Sequence, residues 1–147
     1  MKQAIIIDID STLLDSSIPL ALRDKARAEG DDNYWDVFYN NLHLCDRNTW
    51  CYNLIDQMTL NNDLTVLFIT GRQERARKST QSFLKFKRKI SFELLMRSNN
   101  DLREDEEVKF DILSDVMCRY EILFAIDDKE SNCEMFKSNG IPTLKVF

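Results

Sequence analysis

Apolar residues in this chain occur in short continuous runs and seldom alternate strictly with polar residues. Five runs have the length of a β-strand, and they cover residues 3–9, 64–70, 90–96, 120–127 and 143–147. Strands of a parallel sheet that is covered by helices on both faces have this continuous apolar character. The runs therefore predict five strands of a mainly parallel sheet.

Segments with helical character lie between these strands. They cover residues 46–62, 72–89, 105–119 and 129–140. Asp46 is suited to cap the first helix and Gly140 to end the last one. The alternation of strands and helices predicts an α/β fold, a doubly wound, Rossmann-like five-stranded sheet with helices on both faces.

Residues 15–45 interrupt this alternation. We expect one or two short helices here, with Trp35, Phe38 and Tyr39 packed on the body of the protein or beside the site. About 30 residues are too few for an independent domain. The chain of 147 residues has the length of one ordinary domain, so we predict a single domain over residues 1–147 with a short insertion at 15–45.

Composition narrows the class of protein. The formal net charge is −5 with both signs interleaved, which argues against a broad nucleic-acid surface but leaves room for a local basic site. The four cysteines have no zinc-ligand spacing and are expected to be reduced. No apolar run approaches the ~20 residues of a membrane span. We expect a soluble, cytoplasmic protein; the sequence indicates no oligomeric state.

Polar residues follow four of the predicted strands. Asp8 and Asp10 end the first strand, residues 70–72 end the second, and Asp127 and Asp128 end the fourth, while the third runs into the polar stretch 97–105. Ligands of open parallel sheets bind outside the carboxyl ends of the strands. We therefore expect these residues to meet at one edge of the sheet.

Carboxylates without nearby cysteine or histidine ligands suit Mg²⁺ better than zinc, and magnesium suggests a phosphate. The hydroxyl and the arginine of residues 70–72, just before a predicted helix, would hold phosphoryl oxygens. Lys109 would add positive charge. Each feature also has an ordinary structural explanation, because Asp-x-Asp can be a turn, residues 70–72 and 127–128 can be helix caps, and Lys109 can be a solvated lysine.

Taken together, "DIDST", "ITGR", the lysine at 109 and "AIDD" resemble the four ordered motifs of the haloacid dehalogenase (HAD) superfamily. The resemblance implies that Asp8 is the nucleophile that attacks phosphorus. Asp10 would protonate the leaving oxygen, activate water afterwards, and reach the metal through its backbone carbonyl.

The same resemblance assigns the remaining motif residues. Thr70 would donate a hydrogen bond to a phosphoryl oxygen, and Lys109 would neutralise the nucleophile. Asp8, Asp10, Asp127 and Asp128 would hold Mg²⁺, with Asp128 in direct contact and Asp127 in support.

The spacing of Arg97, Asp101, Arg103, Asp105 and Lys109 is similar to that in the phosphatase domain of bacteriophage-type polynucleotide kinase-phosphatases, which remove 3′ phosphates from nucleic-acid ends. This resemblance implies that Gly71, Arg72, Arg97 and Arg103 contact the substrate and that Asp105 orients Lys109 or Arg72. The stretch 99–107 also has the character of a solvated loop and a charged helical turn. Ser11 stands where that group commonly has glycine, and the chain contains no kinase domain or P-loop sequence.

HAD proteins with large lids usually insert them after the first strand or before the third. Here the first gap is short and one predicted helix fills residues 71–90, so we predict a minimal cap. The function predicted is a Mg²⁺-dependent phosphomonoester hydrolase with an aspartyl-phosphate intermediate, acting on nucleic-acid 3′-phosphate ends or nucleotides. The alternatives are a phosphatase for small metabolites and a non-catalytic HAD-like binding module.

Overall fold

The computed structural model describes residues 1–61 and 63–147. The strands are β1 (Lys2–Ile7), β2 (Leu14–Asp15), β3 (Asp46–Arg47), β4 (Leu64–Gln73), β5 (Ser91–Arg97), β6 (Tyr120–Asp127) and β7 (Thr143–Lys145). The helices are α1 (Ser17–Ala28), α2 (Tyr34–Asn40), α3 (Thr49–Met58), α4 (Arg77–Gln81), α5 (Asp105–Val116) and α6 (Glu130–Ser138). Single 3₁₀ turns lie at Leu42–Leu44 and Glu74–Ala76.

Five parallel strands form the central sheet in the order β5-β4-β1-β6-β7. Because side chains alternate along a strand, β1 supplies both faces of the sheet. Ile5 and Ile7 pack in a cluster with Ile55 of α3, whereas Ala4 and Ile6 pack in a second cluster with helices α5 and α6. The predicted doubly wound sheet with helices on both faces is confirmed.

The insertion contains two helices, as predicted. The short antiparallel pair of β2 and β3 closes it at its base, where Asp15 pairs with Asp46. Phe38 of α2 and Leu42 of the following turn are buried in the same cluster as Ile5. The insertion therefore packs directly against the sheet.

The predicted helix over residues 72–89 is wrong. Strand β4 continues to Gln73, and α4 covers only five residues. The carbonyl of Phe83 accepts a hydrogen bond from the Tyr52 hydroxyl at 2.7 Å, and that of Lys85 accepts one from Arg47 at 3.1 Å. Tertiary contacts thus satisfy backbone groups that a helix would have paired internally.

The predicted helix over 46–62 begins later than expected. Asp46 does not cap it, because Asp46 belongs to β3; Asn48 lies at the N-cap position instead. Helix α3 ends at Met58, and the predicted end at residue 62 lies outside the described residues. The last two predicted helices are shortened by a few residues, and Gly140 follows α6 with a positive φ of 80°.

The four cysteines are free thiols, as predicted, and three of them are buried. Within residues 1–61 and 63–147, no helix is long and apolar enough to cross a membrane.

Candidate active site

Most of the predicted site residues line one open pocket at the carboxyl edge of the sheet, with a volume of about 760 Å³. They are Asp8, Asp10, Thr70, Gly71, Arg72, Arg97, Arg103, Asp105 and Asp128. Lys109 and Asp127 are buried and bonded to the nucleophile candidate or to its neighbours. The predicted convergence of four strand ends is therefore observed.

Lys109 joins the ends of β1 and β6. From the first turns of α5, its Nζ donates to Asp8 Oδ1 at 2.8 Å and to Asp127 Oδ2 at 2.7 Å. Burial alone would lower the pKa of Lys109, but Asp8 and Asp127 outweigh burial and hold this pKa well above its ordinary value. Lys109 is therefore a permanent positive charge against the side chain of Asp8.

Negative charge in this region exceeds the positive charge that Lys109 supplies. Burial raises the pKa of Asp8 well above its ordinary value against the opposing effect of Lys109, and Asp127 and Asp128 raise it further. Asp8, Asp127 and Asp128 each place a carboxylate oxygen within 4.8 Å of the others. An all-oxygen set with excess negative charge fits a hard divalent cation such as Mg²⁺.

The two acidic residues after β6 have different surroundings. Asp127 is fully buried, and its carboxylate accepts hydrogen bonds from Lys109, from Asn132 Nδ2 and from the Lys129 backbone N–H. Asp128 is half-buried and lines the pocket. This difference supports the prediction that Asp128 contacts a metal directly and that Asp127 has a supporting position.

Arg72 forms a two-point ion pair with Asp10. Its Nε donates to Asp10 Oδ2 at 2.9 Å and its Nη2 to Asp10 Oδ1 at 2.6 Å, while Nη1 donates to Thr80 Oγ1 at 3.0 Å. Burial would raise the pKa of Asp10, but Arg72 and Ser16 outweigh it and hold that pKa below its ordinary value. Asp10 is therefore ionised. The binding of phosphate by Arg72 stays a prediction.

Thr70 is oriented by its own turn. The backbone N–H of Arg72 donates to Thr70 Oγ1 at 3.1 Å. The hydroxyl oxygen is thereby used as an acceptor, which leaves its O–H to donate into the pocket. This arrangement suits a hydroxyl that binds a phosphoryl oxygen.

Gly71 has no room for a side chain. A Cβ at this position would collide with Asp105 Oδ1. The Gly71 carbonyl accepts a hydrogen bond from Arg97 Nε at 2.9 Å, and Asp105 Oδ2 accepts one from Asn132 Nδ2 at 2.8 Å. Asp105 also lies 3.7 Å from Lys109 Nζ, which supports the prediction that it orients this lysine.

Arg103 lies at the rim of the pocket and pairs with carboxylates at its surface. It contacts Asp101 at 2.8 Å and Asp111 at 2.7 Å. Its contact with substrate stays a prediction.

Sequence reasoning missed Asn132, Ser16 and Thr80. Asn132 donates to both Asp105 and Asp127 and is buried, and its Oδ1 has no hydrogen-bond partner among the described residues. The hydroxyls of Ser16 and Thr80 contact Asp10 and Arg72. Small polar residues at ordinary helix and loop positions carry no spacing signal that could have singled them out.

Ser11 follows the two aspartates with a positive φ of 63°. This left-handed conformation costs a non-glycine residue ~1–2 kcal/mol. The turn needs it because the Ser11 N–H donates to the Leu14 carbonyl at 2.8 Å. The backbone thus explains why glycine is common at this position.

Fold and site together define a HAD-type phosphatase. The fold agrees with that of a haloacid dehalogenase-like hydrolase from Streptococcus pneumoniae. The two match with a TM-score of 0.71 and 13% sequence identity over 99% of this chain and 84% of that chain.

Within that class, the chain belongs to the family of polynucleotide kinase PNKP phosphatase domains, whose model matches residues 2–147. A chain of the Pnkp1/Rnl/Hen1 complex is 26% identical, with a TM-score of 0.72 over 99% of this chain and 46% of that chain. A chain of the Pnkp1/Rnl/Hen1 RNA repair complex is 22% identical, with a TM-score of 0.71 over 99% and 42%. This chain thus spans less than half the length of these two proteins. A search of curated proteins found no similar sequence.

Proposed function

We propose that the protein is a Mg²⁺-dependent phosphomonoester hydrolase that forms an aspartyl phosphate on Asp8, and that its substrate is a nucleic-acid 3′-phosphate end or a nucleotide. One observation carries the proposal: Asp8 lines an open pocket, and its carboxylate accepts a hydrogen bond from the buried Lys109. A carboxylate that lines an open pocket, with a fixed cation beside it, is arranged for attack on phosphorus.

In the first step, a carboxylate oxygen of Asp8 bonds to phosphorus as the ester P–O bond breaks. Thr12 Oγ1 donates to Asp8 Oδ2 at 3.1 Å and Lys109 to Oδ1, so the carboxylate is fixed before the substrate arrives. Lys109 also reduces the repulsion between the carboxylate and the phosphate dianion. The Thr70 hydroxyl holds a phosphoryl oxygen.

Asp10 handles the protons in both steps. It gives its proton to the leaving oxygen and later takes one from the water that attacks phosphorus, which breaks the acyl-phosphate bond and releases inorganic phosphate. Arg72 keeps Asp10 ionised before substrate binds. When the phosphate competes for the hydrogen bonds of Arg72, Asp10 takes a proton from water, and this is the proton that it gives to the leaving oxygen. The ion pair of Arg72 and Asp10 thus links the binding of phosphate to the protonation of Asp10.

Asp8, Asp128 and the backbone carbonyl of Asp10 would hold Mg²⁺, with Asp127 in support. When bound, the ion supplies positive charge that neutralises phosphoryl oxygens. The clustered carboxylates and the raised pKa of Asp8 and of Asp128 support this assignment.

The substrate proposal rests on the family and on the open pocket. The family model is that of a polynucleotide kinase phosphatase domain, and the complex that contains one similar chain is an RNA repair complex. The segments beside the pocket in the described residues are short: the insertion with α1 and α2, and residues 101–104 before α5. Such a mouth admits the end of a polymer.

Phosphate release should be measured from 3′-phosphorylated and 5′-phosphorylated oligonucleotides, mononucleotides and sugar phosphates, with Mg²⁺ and with EDTA. We expect turnover of the 3′-phosphorylated strand that EDTA abolishes and that Asp8→Asn and Asp10→Asn each lower at least 10³-fold. Asp15→Asn, an exposed carboxylate outside the pocket, is the matched control and should keep wild-type rates.

Preference for sugar phosphates would replace the nucleic-acid substrate with a small metabolite. Absence of turnover with every substrate, while phosphorylated ligands still bind, would make the protein a binding module.

A further inference from the structure

Aromatic and arginine side chains of the insertion form one side of the pocket. We call this surface the aromatic wall. Its members lie on α1 and α2 and line the same pocket as Asp8; they are Arg23, Arg27, Tyr34, Trp35, Phe38 and Tyr39.

The rings of the wall are held in fixed positions. Buried Phe38 meets Trp35 edge to face at a centroid distance of 5.6 Å and contacts Tyr39 at 5.3 Å. Trp35 nevertheless remains 45% exposed. Phe38 therefore anchors the wall in the core, while the larger indole ring projects toward the pocket and solvent.

Arginine side chains lie over exposed Trp35 and half-buried Tyr34. The guanidinium carbon of Arg23 is 4.6 Å from the centre of the Trp35 ring, and that of Arg27 is 5.2 Å from the centre of the Tyr34 ring. Arg23 also pairs with Asp24, whereas in the described part of the chain Arg27 has no carboxylate within ion-pair distance. A guanidinium group that lies on an aromatic ring can stack with a further planar group and can also bind an anion.

The wall continues to the catalytic residues. Arg72, which pairs with Asp10, lies 5.8 Å from the centre of the Phe38 ring. Leu102, which lines the same pocket, is 85% exposed. Neither the chemistry at phosphorus nor the packing of the sheet requires the exposed side chains of Trp35 and Leu102.

We infer that the aromatic wall is the binding surface for the bases of a single-stranded nucleic-acid end, which stack on Trp35 and Tyr34 while Arg23 and Arg27 contact the phosphates behind the terminal one. The inference rests on the proposed function and extends it from the phosphate to the strand that carries it. Stacking on aromatic side chains binds any base, because every base has a π face. Bases in a duplex are covered by their neighbours, so the wall selects unpaired ends.

The acidic net charge does not oppose this inference. Arg27 is exposed at the pocket and, among the described residues, has no carboxylate within ion-pair distance, so it is available to an anion despite the net charge of −5. A sugar phosphate would leave the wall unused, since it has no aromatic face.

Binding should be measured with the inactive Asp8→Asn protein and Mg²⁺, by fluorescence anisotropy of labelled 3′-phosphorylated strands. The probes are a single-stranded octathymidylate, an abasic strand of equal length and charge, and a blunt duplex. We expect the thymidylate strand to bind about tenfold more tightly than either of the others. In a second measurement Trp50→Phe leaves Trp35 as the one tryptophan of the chain, and its fluorescence should be quenched by the thymidylate strand but not by the abasic one.

Trp35→Ala should lose the tenfold preference for bases, whereas Trp50→Ala is the matched control, because Trp50 is 39% exposed and packs on Phe147, outside the pocket lining. Equal affinity for the thymidylate and abasic strands would overturn the inference, as would equal loss in the two alanine variants. Equal binding of the duplex would overturn the selection of unpaired ends. If Trp35→Ala does not fold, the abasic comparison decides alone. Failure of the proposed function would be seen separately, as absence of phosphate release by the wild type.

Discussion

Two requirements meet at the backbone of Gly71. Its carbonyl accepts a hydrogen bond from Arg97, and its Cα faces Asp105 so closely that no Cβ fits between them. Asp105 in turn is tied to Asn132 and lies near Lys109. A side chain at position 71 would therefore displace Asp105 and so disturb Lys109, which position 71 does not touch.

Gly71→Ala should lower kcat for phosphate release by about tenfold or more, because a displaced Asp105 no longer positions Lys109. Steady-state kinetics with the preferred substrate measures the effect. Gly140→Ala is the control: space around Gly140 is open but its φ is positive, so this change should cost ~1 kcal/mol of stability and leave kcat unchanged. Wild-type kcat in Gly71→Ala would show that the close approach to Asp105 is not needed.

Among elements, the irregular segment after α4 depends on α3. The Tyr52 hydroxyl donates to the Phe83 carbonyl, and Asp56 accepts a hydrogen bond from the Lys87 backbone N–H at 3.3 Å. Burial raises the pKa of Tyr52 to about 12 from an ordinary value of 10. Ionisation of Tyr52 is thus disfavoured in the folded protein.

Because the unfolded chain loses the Tyr52 proton at lower pH than the folded chain, the free energy of unfolding should decrease as the pH rises from about 10 towards 12. Tyr52→Phe should remove this part of the pH dependence and, below pH 9, cost ~1 kcal/mol for the lost hydrogen bond. Urea unfolding at several pH values between 8 and 11 measures both effects. Identical slopes in the two proteins above pH 10 would contradict the assignment.

These contacts also explain which parts of the fold could be predicted. Continuous apolar runs such as residues 64–70 predict buried strands because burial on both faces leaves no polar position. Residues 72–89 have helical composition, yet Tyr52 and Arg47, which come from distant elements, bind their carbonyls. A local sequence pattern does not indicate hydrogen-bond partners that lie 31 and 38 residues away in the chain.

The site was predictable where chemistry and topology agree. Asp8 and Asp128 could be placed because strand ends of a parallel sheet converge, and Lys109 because its position follows a motif. Asn132 could not, since an asparagine on a surface-like helix gains its importance only from the two carboxylates that the fold brings to it.

On the scale of the whole molecule, the carboxylate cluster at the sheet edge should make stability depend on Mg²⁺. An ion that binds only the folded state raises the free energy of unfolding by about 2.7 kcal/mol at 100 times its dissociation constant. Thermal unfolding with increasing Mg²⁺ measures this shift, and EDTA should reverse it.

Asp128→Asn should lose most of the Mg²⁺ effect at the same concentration, because it removes a ligand charge. Asp115→Asn, an exposed carboxylate paired with Arg119, is the matched control and should retain it. An undiminished shift in Asp128→Asn would contradict the assignment of this residue to the metal.

The central position of β1 has a consequence for biosynthesis. Its partners β4 and β6 lie far along the chain, with Lys2 opposite Tyr120, and Lys109 follows Asp8 by 101 residues. At ~5–20 residues per second, the ribosome needs on the order of ten seconds to make this distance. During this interval β4 (Leu64–Gln73) is synthesised first, and β1 lacks its second partner β6 until the end. The hydrogen bonds of Lys109 to Asp8 and Asp127 can form only when β6 has been synthesised.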